Sequence, residues 1–248
     1  MSKSIHILGF HSVESLLRTN PESVIKVFIL NNRKDKRVNE LVNTLTNQNI
    51  AFSSVDKNDL DRIAKGEIHQ GVISEVILPP LLNEESLFKS ISENSLKPLI
   101  LILDSIQDPR NLGACLRSAN AAGVDYVVIN KDGSAPINAV VHKTSAGAIN
   151  SLKIFHVTNL SRTIKEMQKR GIWVIGLDGN SKSTIYGVDL TDATAVVMGS
   201  EGKGIRKLIK KTCDQTVTIP MSGNIESLNV SVATGIALFE SKRQRESS

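Results

Sequence analysis

The chain has 248 residues, of which 40% are hydrophobic and 22% charged, and its 30 Lys and Arg against 25 Asp and Glu give a formal net charge of +5. That length accommodates one or two domains, and the composition is that of an ordinary globular protein with a real core. A mean hydropathy of −0.06 and the lack of any run near the roughly 20 apolar residues of a membrane span exclude collagen-like, disordered and integral membrane classes.

Residues 1–76 read as a small α/β unit. Val24–Leu30 is an apolar, β-branched run and predicts a strand. Over Asp35–Asn47 the apolar positions Val38, Leu41, Val42 and Leu45 fall at helical spacing. A second strand follows at Ile50–Val55, a short helix at Lys57–Lys65 and a third strand at Gly71–Leu78. Residues 77–98 carry Pro79-Pro80 and Pro98 and are expected to form a linker with one short helix over Glu84–Ser92.

Residues 99–248 form the second predicted unit. Its strands are continuous and apolar, as buried parallel strands are: Leu99–Leu103, Tyr126–Ile129, Leu152–Val157, Trp173–Leu177, Thr194–Met198 and Thr216–Ile219. Helices are expected between them at Leu112–Ala122, Ala139–Gly147, Leu160–Arg170, Ile205–Thr212 and Ser227–Ser241. Strands alternating with helices predict an α/β fold with a parallel sheet.

Three polar segments follow strand C-termini, where open α/β sheets bind ligands. The first runs from Asp104 through Asp108-Pro109, a helix N-cap followed by proline, to Asn111 and Arg117. Six residues at 100° each leave Asn111 and Arg117 far from aligned on one helix, so Asn111 must act from the loop or first turn if both serve one site. The second has three glycines in six residues, Gly199, Gly202 and Gly204, around Glu201. Ile205-Arg206 follows where a phosphate-binding loop needs Lys then Ser or Thr, and Glu201 would repel phosphate. A ligand bearing hydroxyls, amines or a sulfonium suits it better. The third segment leads from Ile219-Pro220-Met221 to a helix that Ser227 or Asn229 can cap. Asn229, Ser231 and Thr234 are more polar residues than capping explains.

Other polar groups read as structural. The five His never pair at metal spacing, and no metal is expected. Cys115 and Cys213 form no CxxC, residues 1–10 do not read as a signal peptide, and two reduced thiols in a cytoplasmic protein are expected. Asp104 and Asp108 read as solvated loop carboxylates, and Lys207, Lys210 and Lys211 as a basic stripe that balances a helix dipole or touches RNA. The positive charge is compatible with an RNA partner, while nine aromatics, unclustered, are too few for a base-stacking platform.

Together, NLGACLRSANAAG at 111–123, MGSEGKGI at 198–205 and IPMSGNIESLNVSVATGIALFE at 219–240 resemble, in order and spacing, the three motifs of the SpoU family. These are RNA ribose 2′-O-methyltransferases of the SPOUT superfamily. IHILGFHSVESLL, KVFIL, HQGVISEV and the terminal RQR narrow the resemblance to members that methylate a guanosine ribose in the peptidyl-transferase region of large-subunit ribosomal RNA. The resemblance implies an L30e-like RNA-binding domain over 1–76, a SPOUT catalytic domain over 99–248 ending in a trefoil knot, S-adenosylmethionine as cofactor, ribosomal RNA as partner, no membrane association and a homodimer. It implies Asn111, Arg117, Glu201, Ser227 and Asn229 as catalytic residues. It implies Gly176, Leu177, Gly199, Ile219, Met221 and Leu228 as the cofactor contact. Because a guanidinium is a poor base, Arg117 is expected to hold a phosphate, which leaves a phosphate oxygen, Glu201 or water as proton acceptor. A related enzyme acting on transfer RNA or another ribosomal site, and an RNA binder without catalysis, are the alternatives.

Overall fold

A computed structural model describes residues 4–31, 33, 35–77, 82–94, 97–223, 225 and 227–247, with Asn94 described in its backbone alone. The chain divides into two compact units, one of residues 1–80 with 137–151 and one of residues 81–136 with 152–248.

The first unit contains β1 (Ser4–Leu8), α1 (Phe10–Thr19), β2 (Val24–Leu30), α2 (Lys36–Asn47), β3 (Phe52–Val55), α3 (Lys57–Ala64) and β4 (Val72–Ile77). Its sheet has the order β1-β4-β2-β3, with β2 and β3 parallel and the other pairs antiparallel. Phe10, Val13 and Leu17 of α1 and Val38, Leu41 and Leu45 of α2 cover one face, against Val27, Ile29 and Val72. Leu60 and Ala64 of α3 pack on Leu8 and Ile73 of the other. Asp35 and Asp56 start α2 and α3 by accepting hydrogen bonds from the amides of Val38 and Asp59. β1 and α1 are absent from the sequence reading, although Phe10, Val13, Leu16 and Leu17, all buried, carry a helical period.

The second unit contains α4 (Glu84–Asn94), β5 (Leu99–Asp104), α5 (Pro109–Ala122) and β6 (Tyr126–Asn130). A short helix, α6 (Ala139–Thr144), then falls within the segment that groups with the first unit, whereas the sequence pattern places it in the second. The chain continues with β7 (Lys153–Val157), α7 (Leu160–Lys169), β8 (Trp173–Leu177), β9 (Thr194–Gly199), α8 (Lys207–Thr212), β10 (Gln215–Val217) and α9 (Val230–Glu246). The six strands are all parallel, in the order β10-β8-β9-β5-β6-β7. β5, β6 and β9 are buried along their whole length, which explains their unbroken apolar sequence. The expected linker over 77–98 is corrected in part: Leu87 and Ile91 of α4 are buried in this unit's core with Leu160, Ile164 and Met167 of α7. Residues 78–81, 95 and 96 lie outside the described residues.

His142, on α6, is buried, and its Nε2 has no hydrogen-bond partner among the described residues. Burial pushes its pKa down to about 4. The unfolded chain takes up this proton near pH 6.5 and the folded chain only near 4, so acidification through that window favours unfolding. At 1.36 kcal/mol per unit, the histidine's contribution falls by about 3 kcal/mol between pH 6.5 and 4. Denaturant titrations at pH 7 and 4.5 should show His142→Leu losing less stability on acidification than the parent protein. Equal losses would mean that this imidazole is protonated in the folded state.

Candidate active site

Strand order places the site. From β5 the chain moves outward through β6 to β7, then crosses back so that β9 lies on the other side of β5. The C-terminal ends of β5 and β9 therefore flank a topological switch point, where a crevice opens in such sheets. Asn111 lies in the first turn of α5, directly after β5, and Glu201 directly after β9.

Around Glu201 the chain turns tightly. The Ser200 amide donates to the Gly204 carbonyl at 3.1 Å, and the Gly204 amide to the Ser200 carbonyl at 2.8 Å. The loop folds back onto Gly199 so closely that a Cβ there would lie 2.0 Å from the Gly204 carbonyl carbon and 2.1 Å from the Ile205 nitrogen. Only glycine fits.

Asn229 caps α9, its Oδ1 accepting from the Ser231 amide at 2.9 Å and the Ser231 hydroxyl at 2.6 Å. This leaves its amide nitrogen to face the other two segments. Asn229 Nδ2 donates to Asn111 Oδ1 at 3.1 Å and to Glu201 Oε1 at 3.3 Å, while Asn111 Nδ2 donates to Glu201 Oε2 at 2.8 Å. One residue from each of the three segments thus joins a closed polar triangle. The carboxylate accepts from both amides and fixes which way each points.

Arg117 is exposed on α5 and makes no hydrogen bond or ion pair among the described residues. Ser227 is exposed and likewise unbonded there; Asn229 is the cap. Thr234, the remaining polar residue of this helix start, is buried and donates to the Val230 carbonyl at 2.7 Å, with Cys115 Sγ 3.4 Å away. Burial pushes the Cys115 thiol up to about 11 and the Cys213 thiol up to about 12, so both stay protonated and unreactive near neutrality.

Four of the residues expected to contact the cofactor carry apolar side chains. Leu177, Ile219 and Leu228 are half-buried and Met221 is exposed. Residues 219–223 form neither helix nor strand, and the amides of Met221 and Ser222 have no partner among the described residues. Gly176 is buried in β8, and a Cβ there would meet Ile205 Cδ1 at 3.0 Å and Cys213 Sγ at 3.2 Å; its small size serves packing. Asn224 and Glu226 lie outside the described residues.

One expectation needs correction. Asp104 is not a solvated loop carboxylate: it is fully buried at the end of β5 and pairs with Arg206, accepting from Nε at 2.7 Å and from the backbone amide at 2.9 Å. Asp108 caps α5, accepting from the Arg110 amide at 2.9 Å. A carboxylate closing an all-apolar strand was the available signal for the ion pair, since a buried charge needs a partner. Of the basic stripe, Lys210 pairs with Asp178. Among the described residues, no group of three or more His, Cys, Asp or Glu is placed to hold a metal ion.

Residues 98–239 match the SpoU rRNA Methylase family. The chain belongs to that family. Residues 6–80 match the RNA 2′-O ribose methyltransferase substrate binding family. The chain is 47% identical over 243 residues to the 23S rRNA (guanosine-2′-O-)-methyltransferase RlmB of Haemophilus ducreyi, covering 98% of each chain. It is 44% identical over 239 residues to the RlmB of Escherichia coli (strain K12), covering 96% of this chain and 98% of that one. In fold it is similar to the SpoU methyltransferase AviRb from Streptomyces viridochromogenes, crystallised in complex with AdoMet, with a TM-score of 0.81 at 21% identity, over 99% of this chain and 92% of that one.

Proposed function

We infer that the protein is an S-adenosylmethionine-dependent methyltransferase that modifies the ribose 2′-hydroxyl of a guanosine in 23S ribosomal RNA. The observation that carries the reading is the Asn111–Glu201–Asn229 triangle at the switch point, built from all three SpoU motifs. The surroundings fit the cofactor. Leu177, Ile219 and Leu228 offer apolar faces to an adenine, and the amides of Met221 and Ser222, without partners among the described residues, offer donors to its ring nitrogens. Glu201 supplies negative charge suited to a sulfonium. Gly199 acts through the loop that it allows to close.

Bound there, S-adenosylmethionine supplies an electrophilic methyl group. The chain's own residues align and hold. Asn111 and Asn229, oriented by Glu201, position the reacting ribose and the cofactor, and alignment of this kind contributes several kcal/mol. Ser227, exposed two residues before Asn229, adds a hydroxyl to the same rim. Arg117 holds the phosphate beside the target ribose through the paired donors of its planar fork.

The remaining elements of the proposal are architectural. The N-terminal unit holds the RNA. The C-terminal segment threads a trefoil knot, a path supported by two sets of contacts on residues 178–193. Thr218 donates to the Ser183 carbonyl at 2.8 Å, and Gln244 and Arg245 of α9 bind the backbone of Val188 and Leu190. A homodimer is supported by Val232 and Phe239, apolar yet about half exposed on α9. No helix among the described residues is long and apolar enough to cross a membrane, and the two free cysteines suit a cytoplasmic enzyme.

The test is transfer of labelled methyl from S-adenosylmethionine to 23S rRNA fragments, with the modified ribose mapped. Label on one guanosine 2′-oxygen of the peptidyl-transferase region is the expected result. Label on transfer RNA alone would keep the chemistry and overturn the substrate. Glu201→Gln should lower transfer by about 10- to 100-fold, the worth of hydrogen bonds to a charged group, with the melting temperature unchanged because Glu201 is exposed. Full activity in that variant would remove the triangle from the mechanism.

A further inference from the structure

We propose that Arg206 and the cleft beside it form a phosphodiester-binding site that seats the RNA backbone next to the reacting centre. The proposal rests on the RNA methyltransferase reading above.

The cleft has a volume of about 260 Å³ and is lined by Thr158, Asn159, Ser161, Arg206, Leu208 and Ile209, among others, all of the second unit. It lies where β7 passes into α7 and the glycine loop passes into α8. Asp104 anchors Arg206 from below. That carboxylate is fully buried, and Arg206 holds it through Nε and the backbone amide; the Ser105 hydroxyl adds a third hydrogen bond at 3.2 Å. A guanidinium has five N–H donors in a rigid fork. Only Nε is used here, and the four donors on the outer nitrogens have no partner among the described residues. The side chain is 53% exposed.

An arginine fixed along its inner edge and open along its outer edge is pre-organised for a phosphate, which accepts two parallel hydrogen bonds from such a fork. Its surroundings favour an anion. Thr158 brings a hydroxyl, that of Ser161 lies 3.0 Å from the Thr212 hydroxyl, no acidic side chain lines the cleft among the described residues, and the Asp104 charge is already matched. Exposed Lys207 follows Arg206 directly. The ten-residue helix α7 begins here at Leu160, its first turn capped by Asn159, whose Oδ1 accepts from the Arg162 amide at 3.1 Å.

The cleft also shares its framework with the reacting centre. Gly199 and Asp104 are register partners across β9 and β5, and only four residues separate Glu201 from Arg206. A strand of RNA whose ribose meets Asn111 and Glu201 has its neighbouring phosphates within the reach of the same strand ends. Arg206 is therefore a positioning residue for RNA, without contact to the methyl donor.

The experiment measures RNA affinity of the full chain from about 50 to 200 mM salt, together with steady-state methyl transfer, using a 23S rRNA fragment. Arg206→Lys keeps a positive charge against Asp104 and removes the open fork. Leu208→Glu adds an acid to the cleft from an exposed position and leaves the ion pair untouched, so it serves if the first variant folds poorly. For both, the KM for RNA should rise about 5- to 20-fold, with kcat and the KM for S-adenosylmethionine within about twofold. For Arg206→Lys, the slope of log affinity against log salt should weaken by about 0.7–0.9, one phosphate contact. An unchanged slope in Arg206→Lys, or losses in kcat and cofactor affinity that track melting temperature, would overturn the site and assign Arg206 to stability alone. If the parent protein itself shows no salt-dependent RNA binding, both this proposal and the functional reading fall.

Discussion

Arg117→Ala is expected to lower methyl transfer by about 100- to 1,000-fold while leaving S-adenosylmethionine affinity within about twofold, as for loss of one partner in a charge-assisted contact worth roughly 2–5 kcal/mol. The geometry makes the prediction clean. Arg117 is exposed and unpaired among the described residues, so its removal leaves no buried charge and breaks no internal bond. It sits six residues beyond Asn111 on one continuous helix, which places it about 9 Å farther along the axis and about 120° around it. Among the described residues its guanidinium makes no hydrogen bond to Asn111, Glu201 or Asn229. The partner proposed for it is the substrate, and the fitting group on RNA is a phosphate. Kinetics with an rRNA fragment, calorimetry with the cofactor and a melting curve separate the outcomes. Retained transfer would remove Arg117 from catalysis. A parallel loss of cofactor binding would show that it supports the pocket rather than the RNA.

The second unit's strands were legible because burial on both faces leaves no room for polar residues, and β5, β6 and β9 are accordingly unbroken apolar runs. The segments that hold Asn111, Glu201 and Asn229 stood out because each interrupts such regularity just past a strand or at a helix start, and the resemblance to the SpoU motifs then singled out these residues within them. Their mutual hydrogen bonds were not legible, since those depend on β9 returning beside β5, a non-local pairing with no local signature. The same crossover hid the Asp104–Arg206 pair, whose members are 102 residues apart. α4 resembled linker because its neighbours are rich in proline, yet Leu87 and Ile91 are buried in the core. β1 and α1 show a different failure. Their apolar periodicity is plain once α1 is seen to begin after Gly9, which takes the place of a side-chain cap with φ +88°. Without a Ser, Asp or Asn at that position, the usual start signal is missing.

Gly199→Ala should damage both stability and activity, and the reason lies in backbone atoms that cannot move aside. The added methyl would sit 2.0–2.3 Å from the Gly204 carbonyl group and the Ile205 nitrogen. The loop would have to open, breaking the paired hydrogen bonds between Ser200 and Gly204. Opening would carry Glu201 away from Asn111 and Asn229. It would also pull Arg206 from Asp104, and leaving a buried carboxylate without its partner costs about 3–5 kcal/mol. At about 2–4 °C per kcal/mol for a protein of this size, the melting temperature should fall by roughly 6–20 °C. Methyl transfer should fall at least as far as in Glu201→Gln, even at temperatures where the variant is folded. Gly223→Ala is the control for stability, because a Cβ there meets nothing within 4 Å and its φ is unstrained. Equal melting temperatures for the two variants would show that the loop accommodates a side chain at 199, and that the order around Glu201 does not depend on its closure. A large fall for Gly199→Ala alone would tie the order of the reacting centre and the neutralisation of Asp104 to one tight turn.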